Sequence, residues 1–196
     1  MIKIYCMPLG AYQTNCYIVH RLDCNKCVVI DPGYEPHTIS DKLEDLELEL
    51  EAILLTHGHF DHVGAVRDLA ATTGCQVYIR PEENTMPPQL TAGPLYYTQE
   101  YPAHGQLPVA GMDFTVIPTP GHTPGSVCLL VEDAMFSGDT LFAGSMGRCD
   151  FPGSSIFEMR KSLRRLCALT RDYKVFPGHG EHSTLEHEKK TNPYLR

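Results

Sequence analysis

Residues 56–65, THGHFDHVGA, place four possible metal ligands within six consecutive positions: His57, His59, Asp61 and His62. The cluster directly follows residues 52–55, an apolar run typical of a buried strand. Imidazoles and carboxylates gathered at the end of a strand need polar partners, and a divalent metal ion satisfies several of them at once. The segment therefore predicts a metal site.

Three later stretches each place a His or an Asp in a turn rich in Gly or Pro, just after a predicted strand: PGHTPG at 120–125, SGDT at 137–140 and PGHG at 177–180. They complete a candidate set of five histidines and two aspartates: His57, His59, Asp61, His62, His122, Asp139 and His179. Seven nitrogen and oxygen ligands are too many for one tetrahedral ion. They suit two ions that share one carboxylate.

The spacing within the first cluster divides it into two parts. His57 and His59 are two residues apart, so an extended backbone points both side chains the same way, and they can hold one ion together. Asp61 and His62 lie where the chain turns into a helix, so they can face a neighbouring ion. An isolated histidine is more often a hydrogen-bonded surface imidazole, and we interpret five others in this way: His20, His37, His104, His182 and His187.

Size, composition and charge limit the class of protein. The 196 residues fit one domain, 1–196, and 42% apolar with 20% charged residues is ordinary for a soluble globular protein. A net charge of −8 argues against a nucleic-acid partner. Bound divalent cations would offset that charge locally, so a small anionic substrate stays compatible with it. The oligomeric state is left open.

The chain carries no apolar run long enough to span a membrane and begins with a strand-like segment at 1–5, so we expect a cytoplasmic protein without a membrane partner. In that compartment its eight cysteines are expected to be free thiols. Cys24 and Cys27 form a lone C-x-x-C pair, which predicts a hairpin turn, because no second pair supplies the other two ligands of a zinc site.

Periodicity predicts strands interleaved with helices, which is typical of a layered α/β domain. Strands are predicted at 2–7, 16–20, 27–30, 51–55, 76–80, 114–117, 126–131, 134–136 and 174–176. Helices are predicted at 37–45, 63–71 and 155–169, the last capped by Ser154 or Ser155 with Glu158 as its capping-box partner. Residues 81–108 hold six of the fifteen prolines and predict an irregular surface segment that covers a site.

The H-x-H-x-D-H motif, followed by a lone His, Asp and His at these separations, resembles the metallo-β-lactamase superfamily. The resemblance runs from Asp31-Pro32-Gly33 to His179. It implies an α/β fold of the αββα type, in which two mixed sheets are flanked by helices and the metals lie at the edge of the sheets.

The resemblance also implies a role for each ligand. His57, His59 and His122 would hold the first ion, and the second would be held by Asp61, His62 and His179. Asp139 would bridge both ions, and Asp31 would steady ligands without binding metal. The cofactors are then two divalent ions, with zinc as the first expectation, although His and Asp ligands also suit iron and manganese.

Residues 138–148, GDTLFAGSMGR, resemble the glyoxalase II group, which hydrolyses S-acyl-glutathione thioesters. Arg148 matches a basic residue that meets glutathione there; the alternative is a structural salt bridge. We expect the chain to lack the C-terminal helical domain of that group, and it carries Cys149-Asp150-Phe151 where the group has aromatic residues. It therefore looks closest to the short, single-domain glyoxalase II-like hydrolases of prokaryotes.

The resulting hypothesis is a thioester hydrolase in which a hydroxide bridging two ions attacks the carbonyl, since such ions lower the pKa of water towards ~7. Asp61 would be the catalytic residue that orients this nucleophile.

The alternatives are an enzyme resembling the persulfide dioxygenases, which use a single iron, and a non-enzymatic metal-binding protein. His59 argues against the flavodiiron proteins, which carry Glu there, and the acidic balance argues against a nuclease. A β-lactamase is disfavoured because we expect a cytoplasmic protein, with no export signal visible in the sequence.

Overall fold

The computed structural model describes residues 1–102 and 105–195, so the prediction for His104 lies outside the described residues. Two six-stranded sheets pack against each other, and helices cover their outer faces. The first sheet contains β1 (Ile2–Leu9), β2 (Thr14–Arg21), β3 (Lys26–Ile30), β4 (Glu49–Leu54), β5 (Gln76–Ile79) and β6 (Gln99–Glu100). The second contains β7 (Gln106–Val109), β8 (Met112–Pro118), β9 (Val127–Val131), β10 (Ala134–Gly138), β13 (Lys174–Pro177) and β14 (Ser183–Thr184).

In the stretch of chain that connects β10 to β13, the short strands β11 (Leu141–Phe142) and β12 (Ser145–Met146) form a separate small hairpin. The helices are α1 (Pro36–Asp45), α2 (Phe60–Val63), α3 (Val66–Thr73), α4 (Pro88–Thr91), α5 (Ile156–Cys167) and α6 (Leu185–Thr191), with a 3₁₀ helix at Pro81–Thr85. No helix among the described residues is long and apolar enough to cross a membrane.

Strand direction explains how distant parts of the chain meet. The first sheet has the order β1-β2-β3-β4-β5-β6, and β3, β4, β5 and β6 run parallel. The second has the order β14-β13-β10-β9-β8-β7, and β10 and β13 run parallel. Since the carboxyl ends of parallel strands lie at the same edge of a sheet, the turns after β3 and β4, and those after β10 and β13, are brought together in pairs.

Alternating residues of the central strands form separate cores. On β3, Val28 and Ile30 face the second sheet, where they join Phe114 and Phe136. The intervening Val29 packs with the helices outside the first sheet. This period of two buries both faces of the strand.

Outer helices complete the αββα layers. Ile39 of α1 and Leu69 of α3 pack on the first sheet, whereas Met159 and Leu163 of α5 pack on the second. Ser155 caps α5, accepting a hydrogen bond from the Glu158 backbone N–H at 3.3 Å. The α/β class and the two mixed sheets flanked by helices are therefore as predicted.

Two predicted segments differ from the structure. The helix expected at 63–71 is two helices, because α2 already begins at Phe60 and ends at Val63, so Asp61 and His62 lie within a helical turn. Residues 81–108 are not simply an irregular surface cover, since Glu83 and Tyr101 in this segment are buried. Cys24 lies in the short connection between β2 and β3 and Cys27 lies at the start of β3, in agreement with the predicted turn, and all eight cysteines are free thiols.

Candidate metal centre

Three histidines form the first cluster of candidate ligands. His57 follows β4, His59 directly precedes α2 with an extended backbone, and His122 lies between β8 and β9. Their ligand nitrogens all lie within 4.8 Å of one another, and His59 Nδ1 is 2.8 Å from His122 Nε2. All three side chains are buried. The set expected for a first ion is thus assembled from two distant segments.

The second cluster joins α2 to the turn after β13. Asp61 and His62 come from the helical turn, and His179 comes from the turn. His62 Nε2 and His179 Nε2 are 3.3 Å apart, and Asp61 Oδ2 is 3.3 Å from His179 Nε2. These three residues also meet within 4.8 Å. They correspond to the set expected for a second ion.

Asp139, in the turn after β10, lies between the two clusters. Its Oδ2 is 3.4 Å from His122 Nε2 in the first cluster and 3.6 Å from His179 Nε2 in the second. The turn after β13 approaches this carboxylate so closely that a Cβ at Gly178 would lie 2.3 Å from Asp139 Oδ1. Only a residue without a side chain fits there.

Four of the histidines have their Nδ1 atom held by an acceptor away from the cluster centre. The contacts are His57 to Thr56 Oγ1 at 3.0 Å, His62 to Asp31 Oδ2 at 3.0 Å, His122 to the Arg148 carbonyl at 2.8 Å and His179 to the Tyr12 carbonyl at 3.2 Å. A carbonyl oxygen can only accept, so Nδ1 of His122 and of His179 carries the proton. In the neutral ring Nε2 is then free to bind a metal, and such partners fix the orientation of ligands.

Burial and charge separate the two clusters electrostatically. Burial, aided by neighbouring histidines, lowers the pKa of His57 well below its usual value and that of His59 to about 4. These rings are therefore neutral at neutral pH, the form that binds metal. Burial would also lower the pKa of His62, but Asp139, Asp31 and Asp61 outweigh it and raise that pKa to about 9. The second cluster thus attracts positive charge, which a divalent cation supplies.

Buried polar atoms in the centre lack partners of their own. Among the described residues, His57 Nε2 and Asp139 Oδ1 are buried without any hydrogen-bond partner. Buried polar atoms are almost always paired, and a lone pair facing a group of other ligands is a feature of metal sites. The donor set and these unpaired atoms fit a dinuclear metal site.

Asp31 positions neighbouring residues of the centre through hydrogen bonds. It follows β3 in a left-handed backbone conformation, with φ 50°, and is almost fully buried. Its Oδ1 accepts from the Thr56 N–H at 2.8 Å, and its Oδ2 accepts from the Thr56 hydroxyl at 2.6 Å. With its contact to His62, one carboxylate orients both the His62 ring and the strand end that precedes His57.

Sequence reasoning did not find three further polar residues that hold the ligands. Thr14 donates to Asp61 Oδ2 at 3.2 Å, and the Asn15 side chain donates to the carbonyls of Pro177 and Gly180, each at 3.0 Å. Glu83 accepts from the backbone N–H of Gly58 and of Gly125. Two adjacent polar residues at the start of the apolar strand β2 were a signal for the first pair, whereas the sequence around Glu83 carries no comparable sign.

The centre opens into a cavity of about 450 Å³. His59, Asp61, His122, Asp139 and His179 line it, together with apolar walls from Tyr12, Phe60, Leu90, Phe142 and Phe151. Arg148 lies at this cavity and is about two-thirds exposed. Its Nη2 is 2.8 Å from Asp150 Oδ2, and its guanidinium lies 4.4 Å from the centre of the Phe151 ring. The residue expected to meet substrate is thus at the cavity and also forms the salt bridge of the alternative interpretation.

The comparison with protein families agrees with this geometry. The family model described as "Metallo-beta-lactamase superfamily" matches residues 9–179. The chain belongs to the metallo-β-lactamase superfamily. This membership supports a metal-dependent hydrolase.

Two relatives of this superfamily member extend along its whole length. A protein of Haemophilus influenzae named hydroxyacylglutathione hydrolase GloC is 33% identical, covering 99% of this chain and 98% of its own. A protein of Bacillus subtilis named probable metallo-hydrolase YqgX is also 33% identical, covering 96% of this chain and 95% of its own.

Solved structures share the same metallo-β-lactamase fold. The B3 metallo-beta-lactamase BLEG-1 superposes with a TM-score of 0.92 at 32% identity, covering 98% of this chain and 99% of its own. TTHA1623, solved in a di-iron-bound form, has a TM-score of 0.84 at 36% identity, covering 97% and 100%. ETHE1 from Myxococcus xanthus has a TM-score of 0.80 at 26% identity, covering 97% and 83%.

Proposed function

We propose that this chain is a dinuclear metal-dependent hydrolase that cleaves small thioesters, with S-acyl-glutathione thioesters as the first candidates. One observation carries the dinuclear part. The Asp139 carboxylate lies within 3.6 Å of ligand nitrogens from both clusters, at the wall of the cavity. A shared carboxylate between two ligand sets is the arrangement by which hydrolases hold two ions close together.

In this proposal His57, His59 and His122 would hold one divalent ion. Asp61, His62 and His179 would hold the other, and Asp139 would contribute to both sites. When bound, such ions lower the pKa of water and act as Lewis acids towards a carbonyl. Zinc is the first expectation, and the di-iron-bound relative supports iron as an alternative for this ligand set.

Asp61 is the proposed catalytic residue. Burial would raise its pKa, but the neighbouring rings of His179 and His62 lower it, so the group is a carboxylate at neutral pH. Thr14 donates to its Oδ2 and fixes that oxygen at the cavity wall. In this position the carboxylate orients the attacking water and accepts a hydrogen bond from it.

The cavity walls and the relatives support the substrate class. Tyr12, Phe60, Phe142 and Phe151 offer apolar and aromatic surface for an acyl group. Arg148, the proposed substrate-binding residue, offers a positive charge beside them. The similarity to the Haemophilus influenzae protein named as a hydroxyacylglutathione hydrolase favours a glutathione thioester.

The test is a substrate panel on purified protein whose metal content has been measured. We expect S-lactoylglutathione or another acyl thioester to be cleaved, and we expect Asp139→Ala to abolish the cleavage. The panel includes a β-lactam, because BLEG-1 is named a metallo-beta-lactamase. If the protein with two bound ions cleaves the β-lactam and none of the thioesters, the proposed substrate class is wrong.

An iron-dependent oxygenase resembling the persulfide dioxygenases is the second candidate. A relative that is 36% identical was solved in a di-iron-bound form, which supports iron as the metal that this candidate function requires. Oxygen consumption with glutathione persulfide, measured on the iron-loaded protein, separates the two functions. Oxygen uptake without thioester cleavage would favour the oxygenase.

A further inference from the structure

Glu83 is a fully buried carboxylate that takes no part in the proposed reaction. It lies in the 3₁₀ helix Pro81–Thr85, directly after β5. Its neighbour Glu82 is partly exposed and pairs with Arg80. A buried acid among polar surface residues is costly unless it is fully hydrogen-bonded, so its partners are informative.

Both oxygens of Glu83 are used by the loops that carry the first cluster. Oε2 accepts from the Gly58 N–H at 2.6 Å, and Oε1 accepts from the Gly125 N–H at 2.6 Å. Burial raises the pKa of this carboxyl group, and the nearby Thr123 side chain partly offsets the rise. Gly58 stands between His57 and His59, and Gly125 follows His122 by three residues.

The two loops pack so closely against the Glu83 carboxylate that a side chain at Gly58 or Gly125 would press against it. A Cβ at Gly125 would lie 2.8 Å from Glu83 Oε1, and a Cβ at Gly58 would lie 3.1 Å from Glu83 Oε2. One rigid group therefore sets the separation of two segments that are otherwise distant along the chain. Those segments bring His59 Nδ1 to 2.8 Å from His122 Nε2.

The second cluster is held by other residues. Asp31 orients His62, Thr14 contacts Asp61, and the Tyr12 carbonyl orients His179. Among the described residues, the hydrogen bonds of Glu83 to the two loops are made with Gly58 and Gly125, and none of its hydrogen bonds involves Asp61, His62 or His179. The two clusters thus have separate supports.

We propose that Glu83 is a positioning residue for the three-histidine cluster, which sets its metal affinity by fixing the loop of His57 and His59 against the loop of His122. The proposal rests on the ligand set given above and not on the identity of the substrate. Outer partners of this kind typically change metal affinity by about 10–100-fold.

The test measures cobalt(II) binding to metal-free protein in two backgrounds. In the first background, His179→Ala disrupts the second cluster, so cobalt binding reports on the three histidines of the first cluster. In the second background, His57→Ala disrupts the first cluster, so cobalt binding reports on the second cluster. Glu83→Gln keeps the shape of the side chain but replaces one acceptor oxygen with a donor group. We expect it to weaken cobalt binding about 10–100-fold in the first background and to leave the second background unchanged.

Two further variants complete the design. Glu82→Gln changes the neighbouring carboxylate, which does not contact the ligand loops, and should leave binding unchanged in both backgrounds. Thr14→Val removes the hydroxyl beside Asp61 and should weaken only the second cluster. Circular dichroism verifies that each variant is folded. If Glu83→Gln does not fold, Gly125→Ala displaces one oxygen of Glu83 and carries the same expectation.

Two outcomes for Glu83→Gln would overturn the proposal. Unchanged cobalt binding in both backgrounds would show that Glu83 has no influence on metal affinity, and an equal loss in both would show a general destabilisation of the protein. The measurement involves no substrate. The role of Glu83 can therefore be tested even if the protein cleaves no thioester. If Glu83 has no effect on cobalt binding, the proposed hydrolysis is neither supported nor contradicted.

Discussion

The carboxylate of Asp31 contacts the ring of His62 through Oδ2 and Nδ1, 3.0 Å apart, with both side chains almost completely buried. The contact joins the turn after β3 to the helical turn of α2. Because Nδ1 is occupied, Nε2 of His62 is the atom that faces Asp139 and His179. One hydrogen bond outside the ligand set thus decides which ring atom can bind a metal.

Asp31→Asn should weaken metal binding at the second cluster by about 10–100-fold, because the donor NH2 group replaces one of two carboxylate oxygens that both accept hydrogen bonds, one from the Thr56 N–H and the other from the Thr56 hydroxyl and His62. Asn tolerates the left-handed backbone at this position, so strain does not confuse the result. Metal titration of the metal-free protein measures the effect. Asp23→Asn, on the exposed connection after β2, is the control. Unaltered affinity would contradict the role given to Asp31.

Asp139→Ala should abolish turnover and weaken both metal ions, because this carboxylate lies between the two clusters. Metal content by elemental analysis and thioester turnover are the two measurements. Asp133→Ala removes a surface carboxylate paired with Lys174 and should leave both unchanged. A variant that kept two ions and full turnover would show that Asp139 does not bridge.

Arg148→Gln should raise KM for S-lactoylglutathione by about two- to fivefold while leaving kcat nearly unchanged, since exposed charge pairs contribute up to about 1 kcal/mol. An uncharged acyl thioester should show no such rise. Steady-state kinetics on both substrates give the comparison, with Arg160→Gln on exposed α5 as the matched control. An equal rise for both substrates would indicate that Arg148 acts through packing on Phe151 and not through its charge.

Removing the metals with a chelator should lower the melting temperature. His57 Nε2 and Asp139 Oδ1 are then buried without partners. Adding back a divalent ion at about 100 times its Kd restores about 2.7 kcal/mol per site. Thermal unfolding in zinc, iron and manganese ranks the metals, and magnesium, which prefers oxygen ligands, serves as the control. An unchanged melting temperature after verified metal removal would argue against the site.

Much of the fold follows from local patterns. The predicted strands at 2–7 and 27–30 correspond to β1 and β3, and the predicted helix at 37–45 corresponds to α1. These segments have a clear period because one face of each meets a core. The short elements β6, β11, β12 and α6 were not predicted, since two to seven residues are too few to show a period and their pairing depends on distant partners.

The sequence by itself predicted the candidate ligand set, because metal ligands must be particular residue types, and His57, His59, Asp61 and His62 are close enough in the chain to be recognised. It also indicated the superfamily. The tertiary structure decided which atoms face the centre and what holds them. Glu83 lies 25 residues from Gly58 and 42 from Gly125. No local spacing relates these residues, since their contacts arise only when the segment after β5 folds against two loops of the finished molecule.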